Sequence, residues 1–350
     1  MFLSLTHDDA VAELRRQGVT FPRATALYRA VFKRGSFNFS DLPEFVDQAD
    51  EAERCAALMG RPSGRVVDRC EAAGVVKFVT ALEDGAHIES VLIPGPGRDT
   101  LCISSQVGCR RACRFCATGQ MGWVRDLRAD EMVGQAFAAR FELGRPVNNV
   151  VFMGMGEPLD NLDAVLRAID VLTDQRGLDI SRGRITVSTA GQAEGLRRLA
   201  ARHPGNLGIA VSLNAADDGL RSALMPINRE FPLEQLKAAL RAYPLGPKGV
   251  FFIEYVLLSG VNDSPEDARK VVAFLGDLSV RVNLIAYNPV GTAPFETSSP
   301  AVVRRFREEL VAGGLFVRLR PARGCDVWAA CGQLGGGRAR EAESNDRESG

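Results

Sequence analysis

The feature that most constrains the fold is an alternation of short apolar stretches with amphipathic stretches after residue 100. The apolar stretches predict strands at Leu101–Ser104, Asn149–Met153, Arg184–Ser188, Leu207–Leu213, Val250–Leu257 and Val280–Tyr287. Helices are predicted at Asp130–Glu142, Leu162–Asp174, Gly195–Arg202, Leu233–Ala242, Pro265–Leu275 and Pro300–Ala312. Such alternation is typical of a parallel sheet, and fewer than eight units cannot close a full barrel. We therefore expect an α/β fold, a partial (β/α)6 barrel.

The remaining segments differ in composition from the barrel region. Residues 1–75 are rich in helix formers and predict a small N-terminal helical accessory domain. Residues 76–98 alternate around Asp84-Gly85, which predicts a β-hairpin extension. The barrel would occupy residues 99–320 and a C-terminal cysteine loop residues 321–335. Residues 336–350 have no apolar face and predict a disordered tail.

The bulk composition excludes several classes of protein. Lys+Arg and Asp+Glu balance at 43 each, which argues against a histone-like nucleic-acid binder but leaves room for a local basic groove. Acidic residues interrupt the apolar start of the chain, so we expect no secretory signal. The longest apolar runs are too short for a membrane span, and we expect a cytoplasmic protein with no membrane partner.

A C-x3-C-x2-C spacing directly after the first barrel strand points to the chemistry. Three thiolates, from Cys109, Cys113 and Cys116, suit a [4Fe–4S] cluster with one iron left open. S-adenosylmethionine (SAM) can fill that position through its amino and carboxylate groups. A structural zinc is the alternative, but zinc needs four ligands, and none of the histidines (His7, His87 and His203) falls in this segment.

Arginines accompany the cysteines. Arg110, Arg111 and Arg114 lie within the cluster loop, where they either solubilise the loop or approach an anionic substrate. Basic runs occur at residues 182–184, 197–202, 304–307 and 318–323, and residues 29, 33 and 34 are also basic. A charge run is more often a solvated face, but together these runs could line a phosphate groove.

Several motifs, in order along the chain, resemble those of the RlmN/Cfr family of radical SAM RNA adenine methyltransferases. They are Leu101-Cys-Ile-Ser-Ser-Gln-Val-Gly-Cys109, Cys116-Ala-Thr-Gly-Gln-Met-Gly-Trp-Val-Arg125, Val151-Phe-Met-Gly-Met-Gly-Glu-Pro158, Thr186-Val-Ser-Thr189, Ser212-Leu-Asn214, Tyr287-Asn-Pro289 and Ala329-Ala-Cys-Gly-Gln-Leu334. The resemblance covers roughly residues 20–335. It implies a radical SAM barrel and methylation of adenosine carbon 2 in 23S rRNA, with tRNA as a further substrate. Carbon-8 methylation, a radical SAM enzyme with a non-RNA substrate, and a non-catalytic iron–sulfur RNA-binding protein remain alternatives.

The resemblance also assigns roles to residues outside the triad. Cys331 would carry a methyl group taken from one SAM, while a second SAM supplies the radical. Cys102 would release the product by a transient disulfide with Cys331, so a thiol reductant and a low-potential electron donor are implied partners. Glu89 would accept the ring proton. The plainer readings are buried apolar cysteines and an exposed strand carboxylate.

The SAM pocket is carried over in the same way, onto residues at the carboxyl ends of predicted strands. They are Gly156, Glu157, Ser188, Ser212, Leu213, Asn214 and Asn288. Gly156 would let the backbone approach the cofactor, and the Glu157 carboxylate would accept from the SAM ammonium. The chain departs from the family at Asn214, where histidine is common, and at Cys325 and Trp328. Cys325 is an extra thiol, and Trp328 either stacks on a base or packs.

Overall fold

The computed structural model of the chain describes residues 1–202, 205–291, 293–320 and 328–335. Its helices are α1 His7–Arg16, α2 Phe21–Arg34, α3 Ala49–Met59, α4 Ala117–Gln120, α5 Ala129–Phe137, α6 Leu162–Leu172, α7 Ala193–Arg202, α8 Asp218–Leu224, α9 Leu233–Ala242, α10 Pro265–Leu275 and α11 Pro300–Ala312. Its strands are β1 Gly64–Ala72, β2 Val75–Leu82, β3 His87–Ile93, β4 Thr100–Cys102, β5 Gln106–Gly108, β6 Trp123–Asp126, β7 Asn149–Phe152, β8 Ile185–Thr189, β9 Gly208–Ser212, β10 Phe251–Leu257, β11 Val280–Ala286 and β12 Val317–Arg320.

Within the described residues, ten strands form one sheet in the order β1-β2-β3-β4-β7-β8-β9-β10-β11-β12. The strands from β4 to β12 in this order pair in parallel, and β1 to β4 pair antiparallel. Helices connect the parallel strands, so the α/β class with a mostly parallel sheet is confirmed. All the carboxyl ends of the parallel strands consequently lie along one edge of the sheet.

The predicted elements agree with the structure to within about two residues at most ends, as expected for boundaries set by fraying. The hairpin around Asp84-Gly85 is confirmed as β2 and β3. The predicted helix Asp130–Glu142 is α-helical only to Phe137 and continues as a π-helical turn over Ala138–Glu142.

Two expectations about extent are wrong. Residues 64–72, predicted within the helical segment 1–75, form β1, because this largely exposed strand gains its structure by pairing with β2. A further parallel strand, β12, follows the six predicted ones. Its alternating Arg318 and Arg320 read as a basic run in sequence, and only pairing with β11 reveals the strand. The predicted tail 336–350 and Cys325 lie outside the described residues.

The N-terminal helices pack against the sheet layer through α6 and the residues that follow it. The Tyr28 hydroxyl donates to Asp174 Oδ2 at 3.0 Å, and the His7 amide donates to the same oxygen at 2.6 Å. Tyr28 and Phe32 are fully buried and share the core with α6. No helix among the residues described is long and apolar enough to cross a membrane.

Candidate active site at the carboxyl edge of the sheet

A cavity of about 950 Å³, counted to its open mouth, lies at the carboxyl edge of the parallel strands. Among the residues predicted from the sequence, those that line it are Cys109, Cys113, Cys116, Gly156, Glu157, Ser188, Ser212, Asn214 and Cys331. These residues come from separate parts of the chain, and the sheet brings them to one place.

The cysteine loop is closed by an unusually tight backbone contact. The Cys109 amide donates to the Gly122 carbonyl at 2.7 Å, where β5 and β6 pair. Gly108 has φ +74°, and a Cβ at this position would lie 2.0 Å from the Gly122 oxygen. Only glycine permits both the left-handed backbone and this approach. The contact folds the loop back so that its three thiols reach the cavity.

The three thiols fit an iron–sulfur cluster by their chemistry. Burial raises the pKa of Cys109 to about 12, and the pKa of Cys113 is raised by burial and by the neighbouring thiols. Three thiolates that line one cavity need a cationic centre, which iron supplies. Three cysteine ligands match an iron–sulfur cluster that leaves one iron open.

The C-terminal segment 328–335 lies against the cluster loop. The Ala117 amide donates to the Gly332 carbonyl at 2.7 Å, and the Thr118 hydroxyl donates to the Leu334 carbonyl at 2.7 Å. Gln333 Nε2 donates to the Pro289 carbonyl at 3.3 Å. These bonds hold Cys331 in the wall of the cavity. Its side chain is exposed to solvent, and protein groups of the cavity lie around it.

Cys102 lies behind this wall, buried at the end of β4. Burial, together with the nearby Cys331, raises the pKa of Cys102 to about 12. Burial also raises the pKa of Cys331, while the Arg320 guanidinium acts in the opposite direction on both thiols. Arg320 Nη1 donates to Glu254 Oε2 at 3.2 Å, and both residues line the cavity. The two thiols therefore share one cation.

Glu89 is placed on β3, behind the C-terminal segment and not among the cavity-lining residues. It is only 4% exposed, so the reading as an exposed carboxylate is wrong. Its Oε2 accepts from the Gly335 amide at 3.0 Å and lies 3.7 Å from Lys77 Nζ. The carboxylate is thus linked to the segment that carries Cys331.

The strand ends that form the predicted SAM pocket hold one another by hydrogen bonds. Glu157 accepts from the Leu159 amide at 3.1 Å and the Ala190 amide at 2.7 Å, and burial raises its pKa to about 7. A Cβ at Gly156 would lie 2.6 Å from the Gln106 side chain, so this glycine is needed where the loop after β7 packs against β5. Asn214 Oδ1 accepts from the Val256 amide at 2.8 Å.

Leu213 and Asn288 are buried and are not among the cavity-lining residues. The Leu213 carbonyl accepts from Arg221 Nε at 3.0 Å. Arg221 is fully buried and also donates to the Ala190 carbonyl at 2.6 Å, the Ser212 carbonyl at 3.2 Å and Asn228 Oδ1 at 2.8 Å. This guanidinium ties the ends of β8 and β9 together beneath the cavity.

Comparison with known proteins identifies the family to which this chain belongs. Residues 103–272 match the model of the Radical SAM superfamily. The chain is 43% identical to the dual-specificity RNA methyltransferase RlmN of Syntrophobacter fumaroxidans over 89% of this chain and 91% of that protein. The chain belongs to the RlmN family. It is also 42% identical to RlmN of Geobacter sulfurreducens over 95% of this chain and 91% of the relative.

A solved structure supports the RlmN-family fold. A radical SAM methyltransferase from Sphaerobacter thermophilus superposes with a TM-score of 0.89 at 38% identity, over 95% of this chain and 98% of that chain. This RlmN-family chain is therefore a radical SAM RNA methyltransferase, with a [4Fe–4S] cluster and SAM as its cofactors.

Sequence reasoning missed three charged residues of this RlmN-family site. Glu254 had a usable signal, because it is a lone carboxylate in the apolar strand Phe-Phe-Ile-Glu-Tyr-Val-Leu. Arg320 lies in β12, a strand that the sequence pattern did not predict, and Arg221 lies in α8, where nothing in the sequence marks it as buried. Their roles depend on distant carbonyls and thiols, which spacing along the chain does not indicate.

Proposed function

We propose that this RNA methyltransferase transfers a methyl-derived carbon to carbon 2 of an adenosine in 23S rRNA, and in tRNA as a second substrate, in the cytoplasm. The observation that carries the proposal is the position of Cys331 in the same cavity as Cys109, Cys113 and Cys116, with Cys102 near enough for the two thiols to interact electrostatically. A ring carbon bonded to hydrogen is a poor nucleophile toward the SAM methyl. A thiol relay beside a radical source avoids that barrier.

Cys331 begins the relay as a nucleophile. Its thiolate takes the methyl group of one SAM, forms a thioether and leaves S-adenosylhomocysteine, while the thiol proton passes to solvent. The Arg320 guanidinium stabilises the thiolate, because it lowers the pKa that burial has raised. When bound, the cluster and a second SAM would supply the one-electron chemistry by which this S-methyl group loses a hydrogen atom.

Glu89 and Cys102 complete the transfer. The carbon radical adds to the adenine ring, and the resulting adduct gives up one electron while the Glu89 carboxylate accepts the proton from the ring carbon. Lys77 Nζ lies 3.7 Å from Glu89 Oε2 and forms an ion pair with this carboxylate. The Cys102 thiolate attacks the Cys331 sulfur and forms a disulfide, while the bond between that sulfur and the transferred carbon breaks. The carbon keeps the electron pair and takes up a proton, which completes the methyl group and frees the product. A thiol reductant must then restore both thiols, and a low-potential donor must supply the electron for SAM cleavage.

The architecture fits this division of labour. Cys109, Cys113 and Cys116 would hold the cluster, and Gly156, Glu157, Ser188, Ser212, Leu213, Asn214 and Asn288 would form the SAM pocket. The parallel strands would curve into a partial (β/α)6 barrel across residues 99–320. The helices before residue 60 would act as an accessory domain for RNA, and the segment around Cys331 as the catalytic cysteine loop.

Methylation of defined RNA fragments tests the proposal. Anaerobic holoenzyme is given SAM, a reductant and fragments of 23S rRNA or tRNA, and the digested nucleosides are identified by mass spectrometry against synthetic carbon-2 and carbon-8 methyladenosine. We expect 2-methyladenosine. The 8-methyl isomer would refute the assigned ring position, and RNA without methyladenosine would refute the proposed function.

A further inference from the structure

The cluster loop carries an exposed surface that the proposed chemistry does not use. We call it the Trp123 surface and define it as Arg110, Arg114, Met121, Trp123 and Val124. Trp123 is 43% exposed, Val124 64% and Met121 49%, so three of the large exposed apolar side chains fall within four residues. Large exposed apolar groups clustered beside a cavity mark an interaction site.

The structure separates the three arginines of the loop. Arg111 is ion-paired with Asp160 and with Glu230 at 3.0 Å, so its charge is compensated. Arg110 and Arg114 are exposed, and neither has a carboxylate partner within the part of the chain that the structure describes. By contrast, Arg197 and Arg198 of a predicted basic run pair with Glu194 and Asp163.

The two arginines without a carboxylate partner among the described residues, Arg110 and Arg114, each lie over an aromatic ring. The Arg110 guanidinium lies 3.9 Å from the centroid of Trp123, and that of Arg114 lies 5.9 Å from the centroid of Phe295. Phe295 in turn contacts Tyr287, which lines the cavity. Paired arginine and aromatic side chains are the elements that bind unpaired nucleotides, the cation for phosphate and the ring for a base.

The Trp123 surface is also connected to the proposed proton acceptor. The Met121 sulfur packs against Gly335, whose amide donates to Glu89 at 3.0 Å. A substrate strand on this surface therefore contacts the segment that carries both Cys331 and the Gly335 amide bound to Glu89. Since the target adenosine must leave its stack to reach Cys331, its neighbouring nucleotides need a platform there.

We propose that the Trp123 surface binds the unpaired nucleotides that flank the target adenosine, with one base stacked on Trp123 and phosphates on Arg110 and Arg114. The inference rests on the proposed RNA substrate and deepens it. An acidic electron-donor protein would also suit positive charge near a cluster. RNA is favoured because an electron can reach the cluster from a distance, whereas the adenosine must enter the cavity itself.

The test measures the affinity of anaerobic holoenzyme for a labelled 23S rRNA fragment that the wild type methylates. Trp123→Ala should lower the affinity about 5- to 150-fold, the worth of one stacked base. Trp123→Phe keeps a stacking ring and should retain most of the affinity. Arg110→Gln combined with Arg114→Gln should reduce the slope of log affinity against log salt by about 1.4, or about 0.7 for each lost phosphate contact on a single strand.

The chain offers a matched control at the opposite edge of the sheet. Phe316 is 63% exposed, and the Arg281 guanidinium lies 5.7 Å from its ring centroid. Phe316→Ala and Arg281→Gln remove the same chemistry near the amino ends of β11 and β12, so they should leave affinity and salt slope at the wild-type values. Iron content and melting temperature, measured for every variant, identify loss of fold.

Abasic substitutions in the RNA locate the stacked base. At one flanking position, an abasic nucleotide should weaken the binding of RNA to the wild type. On that abasic RNA, Trp123→Ala and the wild type should bind with equal affinity. Equal RNA affinities for Trp123→Ala and Phe316→Ala would overturn the inference. It would also be overturned if the variants of the Trp123 surface kept the wild-type RNA affinity but their cluster was reduced more slowly by an acidic flavodoxin. An enzyme that methylates no RNA at adenosine refutes the proposed function instead, and the two failures are thereby distinguished.

Discussion

Gly108→Ala should cost this protein its cluster, because the glycine lies at the contact that closes the cysteine loop. Alanine at φ +74° is strained by about 1–2 kcal/mol. Its methyl would lie 2.0 Å from the Gly122 carbonyl oxygen, and the backbone cannot yield without separating β5 from β6. That separation breaks the bond from the Cys109 amide, which contributes about 1 kcal/mol.

The terms together give about 2–3 kcal/mol against the closed loop. If the cluster is held only by the closed loop, its retention should fall about 30- to 150-fold, since each 1.4 kcal/mol is a factor of ten. The assay compares iron and sulfide content after anaerobic reconstitution, and the rate at which a chelator removes iron. Both should change without loss of the sheet, as followed by far-ultraviolet circular dichroism.

Gly122→Ala is the matched control. Gly122 has φ +77° in the same hairpin, but a Cβ there would meet no atom within 4 Å. This variant carries the backbone strain of about 1–2 kcal/mol without the collision, so it should lose about 5- to 30-fold in retention. If Gly108→Ala holds its cluster as long as Gly122→Ala does, the tight contact is not what assembles the site.

Three further variants address the thiols. Cys331→Ala should leave protein that gains no methyl group from SAM; intact mass spectrometry checks this, and an unchanged methyl adduct would exclude Cys331 as the carrier. Cys102→Ala should accumulate a covalent protein–RNA adduct on denaturing gels, whereas clean multiple turnover would remove Cys102 from the mechanism. Arg320→Gln should raise the pKa of Cys331, because the guanidinium now lowers it. The pH profile of Cys331 alkylation should therefore move to higher pH, and the rate at a fixed pH below the pKa should fall about tenfold for each unit by which the pKa rises. Arg318→Gln, on the exposed face of the same strand, should alkylate as the wild type does.

The strand–helix order could be read from the sequence because local patterning encodes it. Apolar runs such as Phe251–Leu257 are buried on both faces of a parallel sheet, so they stay continuous and recognisable. β1 and β12 escaped recognition because both are short of buried residues and owe their structure to a neighbouring strand. The cysteine motif was also recognisable, since its three thiols lie within eight residues of one another.

By itself the sequence determined the cluster motif, the parallel α/β sheet and the family. The tertiary structure decided which charges accompany that motif: Arg320 beside Cys331 and Cys102, Lys77 beside Glu89, and Arg221 across the ends of β8 and β9. It also distinguished Arg111, whose charge is compensated, from Arg110 and Arg114. The physical reason is that a side chain's charge and reactivity depend on groups that the fold brings near it, and those groups lie up to 246 residues away in sequence, as Gly335 does from Glu89.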